Sequence, residues 1–105
     1  MPLPGLFAAL SDPTRFAVVE QLVGGPASVS ELAAPHDMAG PSFLKHLNVL
    51  ERAGLVTSVK VGRVRTVSLA PEALESIEAW VKAHRARWER RLDRLGEFLD
   101  EDDKS

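Results

Sequence analysis

The 105-residue chain contains no cysteine, which excludes a disulfide scaffold, a thiol nucleophile and any cysteine-based metal site. No apolar run approaches the roughly 18–20 residues that cross a bilayer. The opening Met1-Pro2-Leu3-Pro4-Gly5 has neither a basic stretch nor an apolar one, so no secretory signal and a cytoplasmic location are expected. A P-loop, a dinucleotide fingerprint, a paired-histidine motif and a glycine-flanked serine are all missing, so no enzyme is expected. With 45% hydrophobic and 27% charged residues, the chain reads as one soluble globular domain.

Acidic residues are scarce in one place. The formal net charge of −2 argues on its face against a polyanionic partner. Its distribution says otherwise. Residues 1–40 carry −3, residues 41–69 carry +4, and residues 70–105 carry −3. The middle block sets Lys45, Arg52, Lys60, Arg63 and Arg65 against Glu51 alone. Such a block is either a solvated face or the footprint of a polyanion.

Leu3, Leu6, Phe7 and Leu10 recur at helical spacing and predict a first helix ending near Ser11. Asp12-Pro13 is a cap followed by a first-turn proline, and the second helix runs to Gly24-Gly25-Pro26. Ser28 and Glu31 match a capping box for a short third helix, which Pro35 ends. After a turn over His36 to Gly40, Pro41 opens a fourth helix over about 41–53, with Gly54 as its left-handed terminator. Phe43, Leu47 and Leu50 form its inner stripe. The opposite face carries Ser42, Lys45, Asn48, Val49 and Arg52, with His46 at its margin.

Beyond Gly54 the β-branched residues Val56 to Val61 and Val64 to Val67 flank Gly62-Arg63, the signature of a type II′ hairpin. In that register Lys60 lies opposite Arg65, and Arg63 sits at the tip. Three cations are gathered with no acid nearby in sequence, an arrangement that an external anion would relieve.

The last helix is predicted from Pro71 to about Asp100, with an apolar seam of Leu74, Ile77, Val81, His84, Trp88, Leu92, Leu95 and Leu99. A body of about 70 residues cannot cover a helix of that length. A second copy of the chain, packed through this helix and the first, is the expected cover. Adsorption to a membrane is the rival, disfavoured by the narrow stripe and the acidic end. The layout is thus a body over 1–70, a dimerisation helix over 71–100 and an acidic tail over 101–105.

Two helices joined by a turn, the second cationic outside, followed by a basic hairpin, make a winged helix-turn-helix. The expected fold is mainly α with a small β-hairpin, in the order α-α-α-α-β-β-α, and dimeric. Ser42, Lys45, Asn48 and Val49 are candidates to reach base edges in the major groove, and Lys60, Arg63 and Arg65 to straddle backbone or minor groove. Leu10-Ser11-Asp12-Pro13-Thr14-Arg15, Lys45-His46-Leu47, Leu50-Glu51-Arg52-Ala53-Gly54-Leu55-Val56 and the Gly62-Arg63 wing together resemble the ArsR family over roughly residues 5–100. The resemblance implies a small dimeric repressor of double-stranded DNA, paired through its first and last helices. Leu3, Leu6, Phe7, Leu74, Ile77, Val81, His84, Trp88, Leu92 and Leu95 are then the expected contacts between copies.

Where the family has a serine before the proline of its recognition helix and another before Lys-His-Leu, this chain has Ala39 and Leu44. One cap and one DNA contact are therefore expected to be missing. Without cysteine the family's thiolate sensing is impossible, and His84 is the only histidine on the last helix. No metal or other cofactor is expected, with zinc between two His84 side chains as the lesser option. His36 is expected in solvent, His46 as a brace or a phosphate contact, and Arg15 in a structural ion pair rather than on DNA. A winged-helix module that binds another protein is the alternative function. The absence of Trp and Tyr from 41–69 weighs against it.

Overall fold

Caps and turn residues fix the element boundaries of the computed structural model, which describes the backbone of residues 2–103 and the side chains of residues 2–100. Helix α1 covers Leu3–Leu10 and α2 covers Pro13–Val23. Asp12 caps α2, its Oδ2 accepting from the backbone N–H of Thr14 at 2.9 Å and of Arg15 at 3.1 Å. A two-residue strand, β1 at Ala27–Ser28, precedes α3 at Val29–Ala33. The Ser28–Glu31 capping box is present: the Ser28 hydroxyl accepts from the Glu31 N–H at 3.1 Å.

Helix α4 covers Gly40–Arg52, one residue earlier at each end than the pattern predicts. Its termination is a Schellman motif: the Leu55 N–H donates to Leu50 O at 3.0 Å and the Gly54 N–H to Glu51 O at 3.1 Å. Gly54 closes it at φ +83°, a conformation that residues with a Cβ adopt rarely. Strands β2 (Val56–Val61) and β3 (Val64–Leu69) form the hairpin in the expected register, Val61 opposite Val64 and Lys60 opposite Arg65. Gly62 alone in the turn has positive φ, at +62°, as a type II′ turn requires.

The sheet has three strands, in the order β1-β3-β2. Ala27 pairs with Val67 and Ser28 with Thr66, so the hairpin is anchored to the entry of α3. The observed order is therefore α-α-β-α-α-β-β-α, with one strand more than the sequence pattern shows. The core gathers Leu6, Val18, Leu22, Leu32, Phe43, Leu50, Leu55 and Val67, all buried. Burial of a Phe43 or a Leu50 contributes about 1.5–3 kcal/mol, so α4 is held by its inner stripe, leaving the outer face free to vary. Leu6 belongs to this core at 0% exposure and offers no surface to a second chain, which corrects its assignment to an interface. Phe7, beside it, is exposed.

Helix α5 covers Pro71–Asp103, three residues past the expected end. The stretch 101–103, expected to be tail, is helical, and Lys104 and Ser105 lie outside the described residues. The chain divides into two units, residues 1–74 and 75–105. Ala73 is buried in the first. In the second, Val81, Trp88, Leu92, Leu95, Phe98 and Leu99 are exposed along one strip, and among the described residues no helix is long and apolar enough to cross a membrane.

Candidate nucleic-acid interface

Helix α4 turns Phe43, Leu47 and Leu50 inward, which forces Ser42, Lys45, Asn48, Val49 and Arg52 outward, and all five are exposed. The helix starts without a side-chain cap. Ala39 stands at the cap position and makes no such hydrogen bond, in line with the missing serine. Leu44, at the second departure, is 43% exposed.

His46 behaves differently from its neighbours. Its ring is half-buried and turned toward the start of α2, with Nδ1 3.3 Å from Arg15 Nη1 and 3.6 Å from Asp12 Oδ2. His46 therefore braces the helix-turn-helix and is not placed among the outward contacts. Arg15 is structural, but not through a hydrogen-bonded pair with a carboxylate. Its Nε donates to Ala9 O at 2.7 Å and its Nη2 to Ala8 O at 3.3 Å, at the C-terminal end of α1. Those carbonyls carry the negative end of the helix dipole, so a guanidinium there is well placed.

Asp12 anchors the same corner. Its carboxyl is held below the ordinary carboxylate value, chiefly by the Arg15 backbone N–H, with His46 when it is protonated, the Thr14 N–H and the Arg15 guanidinium adding to it. Partial burial acts in the opposite direction. His36 is not in solvent, as the sequence reading expects: it is half-buried, its ring stacked on Phe43 at 5.6 Å. That contact fixes the turn entering α4.

The wing presents Lys60, Arg63 and Arg65, all exposed, with Lys60 and Arg65 directly paired across the hairpin. Among the described residues the ion pairs are His46–Asp12 and Arg85–Glu89, so none neutralises the wing. Glu51, the one acid in the basic block, accepts from the Ser58 hydroxyl at 3.2 Å. The cations remain available to an anion from outside.

A cleft of about 600 Å³ opens between the wing and the start of α3. Lys60, Arg63 and Arg65 line it together with Ser28, Ser30 and Leu44. The sequence pattern marks Ser28 as a helix cap and places neither serine beside the wing. Their place beside the wing follows from the pairing of β1 with β3, which has no local sequence signal, its two residues being a helix cap and the alanine before it.

A helix-turn-helix domain model matches residues 10–59, which cover α2 to the first residues of β2. The chain is 35% identical over 92 residues to the HTH-type transcriptional regulator Rv2034 of Mycobacterium tuberculosis, covering 88% of this chain and 83% of that one. It is 30% identical over 76 residues to the transcriptional repressor SdpR of Bacillus subtilis, covering 72% of this chain and 84% of the relative. Among solved structures, an ArsR family transcriptional regulator superposes with a TM-score of 0.79 at 50% identity, over 83% of this chain and 96% of the other.

Proposed function

Because this chain belongs to the ArsR family of helix-turn-helix transcriptional regulators, we propose that it represses transcription by binding a two-fold-symmetric operator as a homodimer. The observation that carries the reading is the shared outward face of α4 and the wing, where five cations meet no acidic partner. A single α-helix fits the major groove, and Lys45 and Asn48 stand on the face that would meet base edges. Arg63 at the hairpin tip and Lys60 and Arg65 behind it are suited to phosphates.

The second copy is inferred from α5. At 1.5 Å per residue, its 33 residues extend about 50 Å, and its apolar strip is left open to solvent. Leu3, Phe7, Leu74, Ile77, Val81, His84, Trp88, Leu92 and Leu95 are the proposed contacts. A two-fold dimer places two recognition helices about one DNA turn apart, which gives the operator its symmetry. The reading needs no metal or other cofactor and puts the protein with its DNA in the cytoplasm. A protein-binding module is not favoured, since the similar proteins are transcriptional regulators.

Selection of bound duplexes from a random library, followed by titration at several salt concentrations, tests the proposal. A palindromic consensus bound at least a thousandfold tighter than random DNA is expected. Equal affinity for all duplexes would overturn sequence-specific repression.

A further inference from the structure

On α5, Arg87 and Arg91 stand one turn apart, and no acidic residue of the helix can reach either of them. The positions three and four away from Arg87 are Ala83, His84, Arg90 and Arg91; those around Arg91 are Arg87, Trp88, Arg94 and Leu95. The rest of the helix manages its charge differently: Arg85 pairs with Glu89 at 3.6 Å, and Arg90 and Arg94 each have an acid three residues on. Like charges at this spacing weaken a helix. The arrangement is therefore relieved by an anion that the helix does not supply.

Arg87, Arg91, His84 and Trp88 line one hollow of about 300 Å³. The His84 ring is stacked on Trp80 at 4.4 Å, and its Nδ1 donates to Trp80 O at 2.9 Å, a carbonyl that can only accept. In the neutral ring Nε2 then only accepts, so the donors that face the hollow are the two guanidinium groups. Trp88, 59% exposed, adds a flat apolar surface to the same hollow. Two planar forks beside an indole face suit a carboxylate or phosphate joined to a planar apolar group.

We infer that this hollow binds such a small organic anion, and that a second copy packed on the α5 strip closes it. The closing wall rests on the dimer reading above, because His84 and Trp88 lie on the strip proposed to be shared. DNA fits the site less well. Residues 70–105 carry −3, and Glu89, Asp93 and Glu97 follow the same helix on its other side, so an extended polyanion is repelled where a compact anion is not. A ligand enclosed between copies would bias how they pair, and with it the spacing of the two recognition helices.

Calorimetric titration of the full chain with phenyl phosphate and with benzoate tests the inference and separates phosphate from carboxylate recognition. Benzamide is the uncharged control. Saturable binding of either anion, absent for benzamide and at least tenfold weaker in the Arg87→Gln/Arg91→Gln variant, is expected, with DNA binding in the absence of anion unchanged. Because both side chains are exposed, the variant folds, which circular dichroism verifies. No saturation by either anion, equal binding of benzamide, or equal affinity in the variant overturns the site. A variant that turns monomeric while the wild type ignores both anions identifies the arginines as partners of acids on the second copy. Loss of DNA affinity in the variant, with duplex displacing phenyl phosphate, assigns them to nucleic acid. Either result refutes the inference. Sedimentation and DNA titration of the wild type read the dimeric repressor proposal separately, so the two can fail independently.

Discussion

Arg15 and His46, 31 residues apart, meet with Nη1 3.3 Å from Nδ1. A guanidinium only donates, so Nδ1 accepts and the proton of the neutral ring sits on Nε2. The Asp12 carboxylate, at 3.6 Å, lies beyond hydrogen-bond reach and acts on His46 only by its charge. One arginine thus ties the last turn of α1 to the middle of the recognition helix.

Replacing Arg15 with alanine leaves the Ala8 and Ala9 carbonyls and the His46 nitrogen without this donor. The expected loss is about 1–3 kcal/mol, and lysine, lacking the fork, should restore less than half of it. Urea denaturation measures both. Unchanged stability in Arg15→Ala would show that the grip contributes nothing.

Acid should weaken this corner through Asp12. Its folded pKa is depressed, so its stabilisation is complete above the unfolded value of about 4 and is lost as pH falls through the folded value. Asn at this position still caps the helix but does not titrate. Asp12→Asn should therefore lose less stability than wild type between pH 5 and 2, read from urea midpoints. Parallel pH profiles would exclude Asp12 as a source of acid sensitivity.

Ala39 leaves the start of α4 uncapped. Ala39→Ser, at its extended φ −64°, ψ 147°, is expected to stabilise the protein by about 0.5–2 kcal/mol. Thermal and chemical denaturation should agree on the gain. A loss would mean that the hydroxyl finds no N–H to accept from.

The two halves of the DNA face should respond differently. Arg63→Ala, at the wing tip, is expected to weaken binding to every sequence and lower the salt slope by about one unit. Lys45→Ala should cost about 1–3 kcal/mol on the selected operator and relax preference at one base pair. An equal loss on random DNA would demote Lys45 to a phosphate contact.

Trp88→Glu places a charge on the apolar strip of α5. Monomers by sedimentation, with helix content kept, are the expected result. A folded dimer would move the interface elsewhere.

Much of the first unit was legible from the sequence because its signals are local. Asp12-Pro13, the Ser28–Glu31 box, Gly54 and Gly62 each act within one turn of the chain, and each does so in the structure. The outer face of α4 followed from a 3.6-residue period against a buried stripe. The hairpin register followed from a two-residue turn that permits few pairings.

What the sequence determined alone was therefore the order of helices, the hairpin and the cationic block set against an overall negative charge. Tertiary structure decided the rest. It added β1 through a pairing 40 residues distant, sealed Leu6 inside the chain, and stacked His36 on Phe43. It also set Arg15 on the α1 carbonyls and His46, and brought Ser28 and Ser30 to the wing. Capping and periodicity are written in neighbouring residues, whereas a strand of two residues or a donor's distant acceptor exists only once packing has chosen which surfaces meet.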